Sequence, residues 1–173
     1  MNFNLKESIQ ILTRTPEVIE ILLTGLPNEW IHNNEGPDTW SPFDIVGHLI
    51  HGEKTDWIPR AEIILSDKED KTFVPFDRFA QFENSKGKTL GQLLTEFKEI
   101  RQENIKALEA MQIDDVKLEK TGIHPDFGEV TLKQLLATWT VHDLSHIHQM
   151  TRVLGKNYRT EAGPWRAFIS ILQ

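Results

Sequence analysis

Apolar residues at Leu5, Ile9, Leu12, Val18, Ile19, Leu22 and Leu23 recur at intervals of mostly three and four, which predicts an amphipathic helix over residues 5–24. Pro16 near its middle predicts a kink, and Gly25 followed by Pro27 supplies a stop. A turn-rich stretch, Asn33-Asn34-Glu35-Gly36-Pro37-Asp38, leads to a second helix. There Ser41 can cap, Pro42 suits the first helical position, and Asp44 puts a carboxylate near the positive helix end. This helix runs through Ile45, Val46, Leu49 and Ile50, and resumes after Pro59 through Ile64.

Residues 66–88 are polar and irregular but carry Phe73, Phe76, Phe79 and Phe82, so this long loop is expected to pack over something. A third helix opens on Thr89 and Gln92 in capping-box spacing and runs to about Ala110. A fourth opens on Thr131 and Gln134 and continues to Leu154, with Gly155 as its expected terminator. A short segment around Trp165 to Leu172 follows, and no strand-length alternation competes with these helices. The pattern predicts an all-α, four-helix bundle with one long crossover connection, residues 1–173 forming a single domain.

Composition narrows the chemistry. The chain has 173 residues, 39% hydrophobic and 26% charged, as in an ordinary globular protein. It has no cysteine, which excludes disulfides, a thiolate nucleophile and Cys-based metal sites. Any metal must be held by His, Asp or Glu. The 19 Lys and Arg against 26 Asp and Glu leave a formal charge of −7, and no basic run is interleaved with aromatics, so nucleic acid is not an expected partner. No apolar run approaches the roughly 20 residues of a membrane span. The first residues, Met1-Asn2-Phe3-Asn4-Leu5-Lys6-Glu7, lack the apolar stretch of a signal peptide, so the cytoplasm is the expected compartment.

Three of the seven histidines crowd into the fourth helix. Steps of three and four from Trp139 land on His142, His146 and Met150, which places both histidines on the core-facing stripe and turns His148 away from it. A lone core histidine is usually structural. Two of them one turn apart on a buried face need a shared partner, and a cation is such a partner. A third ligand has to come from elsewhere. His48, one turn past Ile45, flanks the apolar stripe of the second helix, while His51 lies nearer its polar side; Glu53 is a possible oxygen ligand. His32 and His124 fall in expected loops, where a solvated side chain is the ordinary outcome.

Other motifs fail on inspection. His142-Asp143-Leu144-Ser145-His146 approaches the H-E-x-x-H of zinc proteases, but its Asp is a methylene shorter than the Glu that acts there as general base. Glu29-Trp30-Ile31-His32 stands alone where a di-iron bundle needs paired E-x-x-H motifs. Gly87-Lys88-Thr89 imitates the tail of a phosphate loop, but Phe82 occupies the position of its first glycine.

Trp40-Ser41-Pro42 leading into Ile45-Val46-Gly47-His48-Leu49, with His142-x-x-x-His146-x-x-Gln149 in the last long helix, resembles the DinB/YfiT-like superfamily. The resemblance implies a four-helix bundle with a three-His metal site, one ligand from the second helix and two from the fourth. Residue by residue it selects His48, His142 and His146 as ligands, with zinc or nickel as the expected ion. It also implies a homodimer, and a metal-dependent enzyme acting on a small molecule: a low-molecular-weight thiol S-transferase first, a metal-dependent hydrolase second. A non-enzymatic bundle with a structural metal is the rival class. Asp143, Gln149 and Glu53 are candidates for orienting the ligands or moving a proton. A cleft lined by Trp40, Trp57 or the phenylalanine-rich loop would favour a substrate site; a fourth protein ligand would favour a structural ion.

Overall fold

A computed structural model describes residues 2–173 of the protein. Helix α1 spans Leu5–Leu23 and is capped by Asn4, whose side chain accepts from the backbone of Lys6 and Glu7. It runs unbroken through Pro16, so the proline does not end it. A single turn, α2 (Asn28–His32), precedes α3 (Pro42–Thr55), where Ser41 and Asp44 form the reciprocal capping box. The next helix, α4 (Trp57–Leu65), begins earlier than the sequence implies. The break falls at Asp56, and Pro59 sits harmlessly in the first turn, where amide hydrogens have no helical acceptor. The crossover contains α5 (Ala80–Ser85). Then come α6 (Leu90–Ala110), the short α7 (Asp115–Leu118) and α8 (Leu132–Lys156), with capping boxes opening α6 and α8. Removing such a cap typically costs about 1 kcal/mol.

The four long helices α1, α3, α6 and α8 form the bundle, α1 and α3 each packing between α6 and α8. Two expectations need correction. Gly155 does not stop α8; its missing side chain makes room for Ile171, whose Cδ1 would stand 2.7 Å from a Cβ there. Strands are also present: β1 (Thr121–His124) and β2 (Gly128–Thr131) pair antiparallel, with Gly122 opposite Val130. The crossover joins this hairpin through a parallel bridge, Phe73 N–H donating to Ile123 O and Ile123 N–H to Lys71 O, each at 2.9 Å. His124 therefore ends a strand rather than lying in a free loop.

Gly122 is the tightest point of this joint. A Cβ would lie 2.6 Å from Cε1 of the buried Phe73 and 2.9 Å from Ile64 Cγ1. Overpacking of this kind costs about 1–3 kcal/mol. Gly122→Ala should lower the thermal midpoint by about 2–4 °C per kcal/mol. An unchanged melting curve would show that the joint yields freely.

The core has two apolar halves. One gathers Ile19, Leu23, Ile45, Leu49, Leu93, Phe97 and Met150; the other gathers Leu12, Trp57, Ile64, Phe73, Leu108, Leu136 and Trp139. A charged layer separates them: Arg101 lies between Phe97 and Leu108 on α6, Asp143 between Trp139 and Met150 on α8, and Glu53 between Ile50 on α3 and Trp57 on α4. Arg101 Nη1 donates to Leu12 O at 2.7 Å and to Asp143 Oδ2 at 2.6 Å. Its Nη2 donates to Glu53 Oε1 at 2.8 Å and Asp143 Oδ1 at 3.0 Å. Asn104 and Trp139 Nε1 complete the acceptors of Glu53. Burial alone disfavours the charged guanidinium, but Asp143 and Glu53 outweigh it and hold Arg101 protonated. Two carboxylates around one guanidinium leave this layer with one net negative charge.

Candidate metal centre and its cavity

The break at Asp56 opens α4 away from the line of α3 beside the hairpin, and a cavity of about 770 Å³ lies there. Its lining includes His48, His142 and His146, together with Trp40, Trp57, Phe73 and Phe76. One ligating atom of each histidine lies within 4.8 Å of the other two. The Nε2 atoms converge: His142 Nε2 stands 3.1 Å from that of His48 and 3.1 Å from that of His146. His146 Nδ1–H donates to Gln149 Oε1 at 2.9 Å, which fixes the tautomer and aims the Nε2 lone pair inward. Packing orients the other two rings. Trp40 lies 4.7 Å and Phe76 5.5 Å from His48 by ring centroids, and Trp57 meets His142 edge-on at 5.1 Å.

Burial, with neighbouring His146, His51 and Arg78, pulls His48 down to about 3. Burial, with His146, His48 and Arg101, pulls His142 down to about 2. Burial also lowers His146, against the opposing pull of Gln149 and Asp143. The cluster is thus neutral at pH 7, the state in which imidazole ligates. Lone pairs of like neutral rings at 3.1 Å gain nothing from one another unless a proton or a cation sits among them. This donor set fits a divalent cation of the imidazole-preferring kind.

The remaining histidines are elsewhere. His51 is buried against Phe76 at 4.8 Å but outside the cluster. His148 is exposed, and so is His32 at the end of α2. Of the three residues expected to support the ligands, Gln149 touches His146, whereas Asp143 and Glu53 bind Arg101 instead. Among the phenylalanines of the crossover, Phe73 and Phe76 line the cavity, while Phe79 and Phe82 are exposed. Arg101 escaped the sequence reading, although it falls four residues after Phe97 and seven before Leu108 on the apolar stripe. Arg60 and Arg78 were missed as cavity residues as well.

The DinB superfamily model matches residues 11–150. The chain belongs to the DinB superfamily. Among solved structures, this DinB member is similar to YfiT from Bacillus subtilis, with a TM-score of 0.72 and 20% identity over 86% of this chain and 85% of that one. YfiT is described as a probable metal-dependent hydrolase with an unusual four-helix bundle topology. A comparison with curated proteins found no match. At this identity the likeness to YfiT establishes the bundle fold, and no described helix of this DinB member is long and apolar enough to cross a membrane.

Proposed function

We propose that this protein is a metal-dependent enzyme in which His48, His142 and His146 hold a zinc or nickel ion and the adjoining cavity receives a small-molecule substrate. The observation that carries the reading is that all three imidazoles border one aromatic-walled cavity, with no Asp or Glu joining the cluster among the described residues. A structural zinc is normally closed by four protein ligands, whereas a catalytic one keeps a position for substrate. When bound, such an ion lowers the pKa of a ligated water or thiol and polarises a substrate oxygen. Asp143 favours a cation at His146, while Arg101 opposes one at His142.

Transfer of a low-molecular-weight thiol to an electrophile is the favoured reaction. Among the described residues, the cavity's carboxylates are Asp56, paired with Arg60, and the exposed Asp126, so no free carboxylate stands by the triad to take a proton from water. The chain has no cysteine, so the thiol would arrive as a cosubstrate. Hydrolysis is the second reading, favoured by the likeness to YfiT and its description.

The test is zinc titration of EDTA-treated protein followed by two assays. His146→Ala should abolish stoichiometric binding and His148→Ala should leave it intact, since His148 is exposed on the far side of α8. Zinc-dependent conjugation of L-cysteine to a chlorodinitrobenzene would support thiol transfer. Zinc-dependent cleavage of a nitrophenyl ester without thiol would favour the hydrolase. Equal loss of binding in both histidine variants would overturn the site.

A further inference from the structure

Arg60 is 6% exposed, one helical turn (about 5 Å) beyond Trp57 on α4, and Trp57 in turn meets His142 edge-on. It therefore lies along the same cavity as the imidazoles, displaced from them along the helix axis. Its guanidinium sits 5.1 Å from the centre of the Phe73 ring, and Asp56 Oδ1 lies 2.5 Å from its Nε. Nothing else holds it. Among the described residues its two terminal nitrogens make no hydrogen bond, whereas both terminal nitrogens of Arg101 are taken by two carboxylates and a carbonyl.

A buried arginine that lines a cavity with both terminal nitrogens unbonded is an incomplete arrangement. The edge they form presents parallel N–H groups at the spacing of one planar oxyanion. Asp56 already neutralises the unit charge, so a singly charged group suits the place better than a dianionic phosphate. The cavity that Arg60 shares with the triad has Trp57, Phe73 and Leu135 among its apolar lining and Gln134, Thr138 and Arg78 among its polar lining.

We propose that Arg60 is a substrate-binding residue that anchors a carboxylate, so that the metal centre acts on small amphiphilic carboxylic acids whose reacting group lies about one apolar segment away from the acid. This inference rests on the cavity being the substrate site of the metal centre.

The probe is 4-phenylbutanoate, with 4-phenylbutanamide as its neutral twin, titrated by calorimetry into EDTA-treated protein so that no metal–carboxylate contact can imitate the anchor. The wild-type protein should bind the acid at least about tenfold more tightly than the amide. Arg60→Gln should weaken acid binding about 10- to 100-fold, the range of a charge-assisted hydrogen-bond pair, and leave amide binding unchanged. Because Arg60→Gln strands Asp56, the Asp56→Asn/Arg60→Gln protein, which leaves no orphan charge, is run beside it and should show the same selective loss. Equal affinity for acid and amide in the wild type, or acid binding that survives both variants, overturns the proposal. Zinc titration of the same proteins tests the metal reading separately. Failure of zinc to bind wild type would sink the metal centre while the acid–amide contrast still decides the anchor.

Discussion

An Arg101→Met protein is expected to lose about 3–5 kcal/mol of folding stability, the usual cost of stranding one side of a buried ion pair. Glu53 and Asp143 are both fully buried, and Arg101 supplies each with its ionic partner. Methionine fills much the same volume, so the loss measures stranded charge rather than a cavity. Domains of this size are stable by roughly 5–15 kcal/mol, so the variant should sit near the edge of folding. Adding Glu53→Gln and Asp143→Asn should recover part of the loss, because neutral amides are cheaper to bury than unpaired carboxylates. Urea unfolding of the three proteins reads both numbers. A single variant as stable as wild type would mean that water reaches the layer.

The second large effect is on pH. His48 and His142 have folded-state pKa values of about 3 and about 2, set first by burial and next by their imidazole neighbours. In the unfolded chain both return to about 6.5. The unfolded state therefore binds more protons below that pH, and stability falls as pH falls. It is full above about 6.5 and declines by about 1.4 kcal/mol per pH unit for each such histidine on the way down towards the folded values. The metal-free protein should accordingly melt earlier at pH 5 than at pH 7.5. Zinc at a hundredfold excess over its Kd should add about 2.7 kcal/mol at pH 7.5 and keep most of that at pH 5, where the folded-state values leave His48 and His142 unprotonated; the increment should fade only as pH falls towards about 3. In a His48→Ala/His142→Ala/His146→Ala protein both the acid sensitivity and the zinc increment should shrink together. A zinc increment that persists in that variant would mean that other groups hold the ion.

The bundle was legible because its long helices carry regular stripes and explicit caps: Thr89 and Thr131 form the capping boxes their spacing announces, and Ser41 caps α3 as expected. The α8 pair was legible for the same reason. Periodicity left His48 and His51 open, and the structure shows why. Helix α3 is covered on its outer side by α2 and α5, so every residue from Ile45 to Glu53 is buried and no polar face remains to distinguish them. The hairpin was missed because its strands are four residues each, too short to alternate visibly, although Pro125-Asp126-Phe127-Gly128 carries a turn signature. Arg101 and Arg60 were overlooked because a charge on an apolar stripe reads as an irregularity until its partners, Asp143 or Asp56, are seen beside it.

The joint between the crossover and the hairpin has a dynamic consequence. The triad stands on helices held by complete backbone ladders, but Phe73 reaches the cavity from a segment tied by one bridge to a hairpin of four paired positions. So small a sheet is marginal by itself. Its amide protons should exchange through partial opening, at a lower free energy than those of α6 or α8. The Phe73 wall of the cavity should therefore open at a lower free energy than the α3 and α8 segments that carry the three histidines.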